Sequence, residues 1–394
     1  TLGTRKITDD ALMYLKKIKK LRYLSLGSRK ISDMGLSYLR SLPNLESLEL
    51  LKSKVTDSGL VYIKSLKKLR RLFLYRTKVE GKGIHYLKEA PSLEELHIIS
   101  PKLGNAGLSN LPGLKKLKVL RLDSRKISDA GLRYLKNVPT LEKLYIYSNK
   151  ITGVGLIPLK SLDNLKKLVI GSRKVADSGL VNLEGMKSLE SLNLWGTKVA
   201  GPGISSLKTI PTLKYLNLGR TKITDPHLMN LTGIKNLETL VLSNNRKVTD
   251  NGLNQISGLS KVKQLYLSKT KVSGPGLTAL KAMKHLRHLD LSSTKVDGPA
   301  LSNLTGLSHL MSLYISRTKV KDDGVPSLLS LKNLHWLYIS RTKISDEGLL
   351  QLKALPKLRI IYAKGSKITC KGYDNFHLQA PHISVVPYDT RCNK

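Results

Sequence analysis

One cation recurs at a single phase of a 24-residue period through this 394-residue chain. The series runs Lys6, Lys30, Lys54, Lys78, Lys102, Lys126, Lys150, Lys174, Lys198, Lys222, Lys247, Lys271, Lys295, Lys319, Lys343 and Lys367. The chemistry open to such a row is electrostatic capture of anions. With successive coils about 5 Å apart, the lysines would form a strip about 70 Å long. Neighbouring ammonium groups would repel by about 0.8 kcal/mol in bulk water. The members from Lys30 to Lys343 are the candidate polyanion strip. Copying a repeat also copies its lysines, so inheritance and solubility are the competing account.

A second set of residues could anchor a partner. Tyr266, Arg287, His288, Tyr314, Arg317, His335, Trp336, Tyr338, Arg341, Arg359 and Tyr362 share strand positions two, three and five or lie just past the strand end. Exposed Tyr, Trp and Arg anchor interfaces, make cation–π contacts, and can stack on sugars or bases. Upstream, position two alternates in sign: Arg22, Glu46, Arg70, Glu94, Lys118, Glu142, Lys166, Glu190, Lys214, Glu238. That order predicts a cross-strand ladder with every charge between two opposite ones. After Glu238 the position reads Lys263, Arg287, Met311, His335 and Arg359, and the alternation is expected to end there. Tyr145, Tyr147, Trp195 and Tyr215 form a weaker aromatic group.

No residues group as a catalytic constellation, so an enzyme is not expected, nor a cofactor. His285 and His309 share a phase, with His288 and His335 nearby, but only Asp290 could complete a zinc set, and no metal site is predicted. Asn230 and Asn303 head N-glycosylation triplets at equivalent positions.

The elements that must position these residues follow from the period. L-x-x-L-x-L ends in the two-residue alternation of a short strand. G-L-x-x-L-x-x-L suits a short α- or 3₁₀-helical segment. Asp33, Asp57, Asp129, Asp177, Asp225 and Asp346 fall where a helix N-cap belongs, with glycine two residues on. One extra residue near Asn245-Arg246 shifts the phase by one, and Ile383, Val386 and Tyr388 repeat the strand spacing a last time. The domain reading is a repeat array over 1–369 and a C-terminal cap over 370–394, which a Cys370–Cys392 disulfide in an oxidising compartment is expected to close, two free thiols being the alternative. The first coil is expected to expose Leu2, Ile7 and Leu12, favouring a partner or self-association. Two Phe and two Trp among abundant Leu fit stacked leucine ridges, and no apolar run reaches membrane-span length. A net charge of +40 calls for acidic partners or an elongated form.

Leu189-x-x-Leu192-x-Leu194-x-x-Thr197-x-Val199 resembles the leucine-rich-repeat signature, with Thr where Asn or Cys is usual. Asn149 and Asn245 read as that usual Asn. The T-x-V-T-D-x-G-L continuation is similar to the ribonuclease-inhibitor-like class and to large bacterial sets of such repeats. The resemblance implies an α/β right-handed horseshoe of about sixteen coils, with a concave parallel sheet and short convex helices. The functional expectation is a secreted or envelope-associated binding scaffold for an acidic protein or a polyanion (glycan, cell-wall polymer or nucleic acid). A self-assembling structural block is the alternative. An enzyme inhibitor, which the resemblance alone suggests, ranks last because that family uses acidic surfaces.

Overall fold

Each period folds into a short strand, a turn and a short helical segment, from Tyr23–Leu26 to Ser384–Val386. The computed structural model describes residues 7–386. It divides into two units, Thr1–Leu192 and Asn193–Lys394. In the first unit, strands pair parallel with a step of 24 residues, as in Leu24↔Leu48 and Leu144↔Leu168. In the second, the column runs Leu216, Leu240, Leu265, Leu289, Leu313, Leu337, Ile361 and Val385. These inward residues are buried and form the core, as period-two alternation requires. The step from Leu240 to Leu265 absorbs the extra residue, because the following turn is one residue longer.

The turn after the strand is closed in two chemically different ways. In the first unit Ser28, Ser100, Ser124, Ser148 and Ser172 are buried at the eighth position of their coils. Their hydroxyls donate to the preceding coil, as from Ser148 to Ile127 O and Ser172 to Ile151 O, both 2.6 Å. In other coils the buried group moves to the ninth position, at Ser53 and Thr77 in the first unit and through the second unit. Thr197, Thr270, Thr294, Thr318 and Thr342 donate to a carbonyl three residues back in their own coil. The eighth residue then turns left-handed, with φ near +57° at Lys269, Arg317 and Arg341. This corrects the reading of Asn149. It is exposed, and Ser148 is the buried polar residue of its coil. Asn245 does hold the expected place. It is 2% exposed, donates to Leu218 O (2.8 Å) and Leu242 O (2.9 Å), and accepts from Thr221 N–H (3.0 Å).

The aspartates do not cap their own helices. Asp33 is the first helical residue, and its carboxylate accepts from the N–H (2.8 Å) and hydroxyl (2.6 Å) of Thr56 in the next coil. Asp129 holds Thr152, Asp322 holds Ser345 and Asp346 holds Thr369 in the same way. The residue gripped is the N-cap of the next helix at Ser345 and Thr369 and the residue before the N-cap at Thr56 and Thr152, so T-D-x-G-L is a staple between coils. Its glycine makes room for the staple: a Cβ on Gly348 would be driven into the Asp322 carboxylate.

The ends of the array differ in part from expectation. Leu12 is 1% exposed, covered by its own helix and by the coil bearing Gly35, and Ile7 is half-buried. Leu2 lies outside the described residues. At the other end, helix Cys370–Gln379 buries Phe376, and Ser384–Val386 pairs with Ile360–Tyr362. Cys370 opens that helix, whereas Tyr388 and Cys392, and so the expected bridge, lie outside the described residues.

Candidate binding surface

In the second unit, parallel register sets two rows of side chains on the face away from the helices. Gln264, His288, Ser312, Trp336 and Ile360 form one row, and Tyr266, Asp290, Tyr314, Tyr338 and Tyr362 the next. The spacing of about 4.8 Å between strands is close to that of stacked rings. Tyr314 and Tyr338 accordingly stack at 3.9 Å and 14°, and Tyr338 and Tyr362 at 4.3 Å and 4°. The stack occupies the facing sides of the Tyr314, Tyr338 and Tyr362 rings, so a sugar or base could stack on them only at the ends of the row. Burial, with hydrogen bonding to Tyr314, raises the Tyr338 phenol. Tyr266 stands apart, separated from Tyr314 by Asp290; its hydroxyl donates to Gln264 Oε1 (3.1 Å), and burial raises it.

The remaining predicted residues divide between the two strand ends. Arg317 and Arg341 follow the tyrosine strands in left-handed turns (φ 57°), and their N–H groups bond Ser340 O (2.8 Å) and Lys364 O (2.9 Å). Their guanidinium groups are exposed. At the opposite end, His335 lies 5.3 Å from Trp336, and together with Arg359, Lys357 and His382 it lines an open groove of about 630 Å³. His288 Nδ1 is 2.9 Å from Ser312 Oγ, and burial followed by Arg287 lowers its pKa. His285 and His309 are 6.3 Å apart ring to ring, with no metal-sized group of three ligands among the described residues.

The charge ladder resolves into pairs. Arg22 meets Glu46 at 2.7 Å and Arg70 meets Glu94 at 2.9 Å, while Glu142 lies between Lys118 (3.8 Å) and Lys166 (3.1 Å). Glu46 is held below the usual carboxylate range first by its bond from Arg22, with Arg70 a smaller Coulombic influence. In the second unit Lys263 meets Glu238 at 3.0 Å. The alternation therefore continues through Lys263 and breaks at Arg287.

The first unit carries a cluster that the sequence reading did not single out. Its rows bring together Phe73, Tyr75, Glu95, His97, Arg121 and Asp123. His97 packs edge-on against Phe73 (4.8 Å), and its Nδ1 is 2.9 Å from Tyr75 Oη. Glu95 Oε1 is 2.9 Å from His97 Nε2. Arg121 covers the Tyr147 ring at 4.8 Å. Burial, then Arg121, pushes His97 down to about 4, while burial raises Glu95 and Asp123. The available signal was an acidic or histidine residue at strand positions three, five and seven of adjacent coils.

These shifts set a pH window. A histidine depressed from 6.5 to about 4 leaves the folded state unprotonated where the unfolded chain takes a proton. Its contribution is complete above pH 6.5 and is lost as pH falls toward 4. Solvent screening reduces the effect to about 1–2 kcal/mol. The raised Glu95 and Asp123 act in the opposite sense at lower pH. The melting midpoint of the first unit should therefore fall between pH 6.5 and 5, and His97→Gln should flatten that slope. A variant that tracks the wild type throughout would exclude His97 as the cause.

A family profile described as "Leucine-rich repeat region" matches residues 2–238, and one described as "Leucine Rich repeat" matches 234–257 and 282–304. The chain belongs to the leucine-rich repeat family. Solved structures share the fold of this leucine-rich repeat chain. An internalin (inlF) from Listeria monocytogenes is 23% identical, with TM-score 0.54 over 90% of this chain and 88% of that one. A leucine-rich repeat protein of Leptospira interrogans is 18% identical, with TM-score 0.60 over 97% and 93%. A chain of the mouse RP105/MD-1 complex is 20% identical, with TM-score 0.64 over 95% and 72%. A search of the curated proteins returned no match.

The leucine-rich repeat geometry also locates the recurring lysine. Its side chain is exposed in both units from Lys30 to Lys367. Its N–H bonds the preceding coil, as from Lys78 to Val55 O and Lys222 to Val199 O, both 2.8 Å. In serine-type coils it bonds the buried hydroxyl instead, as from Lys126 to Ser124 Oγ (3.2 Å). Almost any residue with an N–H can make these bonds, so they account for the repeat position but not for the ammonium group. Lys102 reaches Glu80 at 3.2 Å. The sequon asparagines are structural: Asn230 and Asn303 donate through Nδ2 to Gly201 O (3.3 Å) and Gly274 O (3.4 Å). Asn182, which heads no sequon, makes the equivalent bond to Gly153 O at 2.9 Å.

Proposed function

We propose that this leucine-rich repeat chain is a non-enzymatic binding scaffold whose second unit recognises an acidic protein surface or polyanion. The observation that carries the reading is the set of exposed arginines in left-handed turns beside the tyrosine stack. A left-handed non-glycine residue costs about 1 kcal/mol relative to glycine. Gly196 and Gly365 occupy the equivalent position, so glycine satisfies the turn. Arg317 and Arg341 therefore keep a guanidinium at a strained backbone position where the fold does not require one. The tyrosine hydroxyls, which hydrogen-bond one another along the stack, add polar groups alongside that charge. The lysine row, two residues beyond each arginine, extends the basic rim within the unit. Secretion or envelope attachment, the Cys370–Cys392 bridge, and the bacterial T-x-V-T-D-x-G-L class belong to the same proposal.

The double variant Arg317→Gly/Arg341→Gly should elute from heparin and from immobilised polyglutamate at clearly lower salt than wild type. A charge-matched control, Lys160→Ala/Lys208→Ala, removes two lysines from helical segments and should elute close to wild type. Equal shifts for both variants would mean that only net charge matters, and would sink the site. The stability of the glycine variant should be unchanged or raised by about 1–2 kcal/mol in total. The self-assembling alternative draws on Tyr14 and Ile18, which are exposed in the first described coil. A monodisperse monomer in sedimentation at high concentration counts against it.

A further inference from the structure

The sheet face away from the helices differs in chemistry between the first unit and the second. It carries Glu46, Glu49, Glu94, Glu95, Asp123, Glu142 and Glu190 in the first unit, where the second unit has Glu238 and Asp290. Glu46, Glu94 and Glu142 are each held by an arginine or lysine. Glu49 is not. It accepts a hydrogen bond from Ser25 Oγ at 2.6 Å, and no cation stands within ion-pair distance of it among the described residues. It opens into a cleft of about 290 Å³ lined by Tyr23, Ser47, Phe73 and Tyr75. At about 30 Å³ per water, the cleft has room for about ten waters, or one long side chain.

Aromatic walls around a single carboxylate attract a cation, because the ring faces are negative and the carboxylate completes the charge match. The chain already uses one of these rings in this way. Arg22 and Arg71 approach the Tyr23 centroid to 5.6 and 5.5 Å, and Tyr23 is still 55% exposed. Phe73 and Tyr75 are fixed from behind by the His97 contacts described above, so their side of the cleft is preorganised. An anion would meet Glu49, and a metal ion would find one carboxylate where several hard ligands are needed. We propose that the cleft formed by Tyr23, Glu49, Phe73 and Tyr75 is a subsite for an ammonium or guanidinium side chain of a protein partner. This extends the scaffold reading by giving the chemistry of one group on that partner, a group that a simple polyanion lacks.

The test uses the full chain and small probes followed by ligand-observed NMR titration. N-acetyl-arginine amide, N-acetyl-lysine amide and tetramethylammonium should bind, and neutral N-acetyl-norleucine amide should not. Glu49→Gln should weaken the cationic probes about tenfold with an unchanged melting curve. Phe73→Leu provides a second variant that retains an apolar side chain and should also weaken them. Arg317→Gly/Arg341→Gly should leave probe binding intact, so the two surfaces fail or stand separately. Equal binding of the norleucine and cationic probes, or full retention in Glu49→Gln, would overturn the assignment.

Discussion

Asn245→Ala should destabilise the second unit by about 3 kcal/mol, whereas Asn149→Ala should change stability by no more than about 0.5 kcal/mol. The two asparagines look alike in sequence, one residue before the recurring lysine or two residues before it across the insertion. Their surroundings are unlike. Asn245 is buried, donates to two carbonyls and accepts the Thr221 N–H. Alanine would leave that N–H without its acceptor and remove the link between two coils. The side chain of Asn149 is exposed, so its removal costs little. Trp195 and Trp336 both lie in the second unit, so tryptophan fluorescence during urea unfolding reports on Asn245 directly. The Asn149 comparison needs far-UV circular dichroism over the whole chain. Similar losses for the two variants would show that burial at the ninth position is not what distinguishes them.

Repeat phase, strand position and the leucine core were legible because each is written as periodicity. Period two within L-x-x-L-x-L decides which side chain is inward, although Val169, Asn217 and Ser312 on the opposite face are buried as well. Local turn chemistry was harder to read. Ser-Arg-Lys and Arg-Thr-Lys have the same length, yet the first buries its eighth residue and the second its ninth. Both types occur within the first unit, where Ser53 and Thr77 are buried at the ninth position between coils that bury Ser28 and Ser100 at the eighth. The distinction depends on whether a hydroxyl reaches the coil before or a carbonyl in its own coil, which spacing alone does not reveal. At the candidate site, the tyrosines and arginines were found by strand position, but ring orientation was not. A tyrosine repeated on adjacent parallel strands has a neighbouring ring at stacking distance, so its own kind takes the facing sides within the row. The cluster around His97 was missed for a related reason. Its members come from positions three, five and seven, and only register across strands brings them together.

Asp57→Ala should cost the first unit about 3 kcal/mol, among the largest single losses expected from a partly exposed acid in this chain. In most coils the staple aspartate holds one Ser or Thr through two bonds. The coil after Asp57 departs from that pattern, with Glu80-Gly81 where Thr-Asp is usual. Gly81 takes φ +109°, which only glycine adopts at little cost, and this brings additional N–H groups around the carboxylate. Asp57 Oδ1 accepts from Gly81 (2.9 Å) and Gly83 (2.8 Å), and Oδ2 accepts from Glu80 (3.0 Å). Three main-chain donors at the start of a helical segment therefore depend on one side chain, and alanine returns none of their bonds. Asp57→Asn separates geometry from charge. Its carbonyl oxygen can keep the two glycine bonds, but its NH₂ would face the Glu80 N–H, so about half the loss should remain. Asp163→Ala, at an exposed acid of the same unit, is the control. Circular dichroism gives the change in midpoint, and hydrogen exchange at the Glu80, Gly81 and Gly83 amides shows whether the loss is local. If those amides keep wild-type protection in Asp57→Ala, the carboxylate is not their acceptor in solution, and the staple account of T-D-x-G-L fails with it.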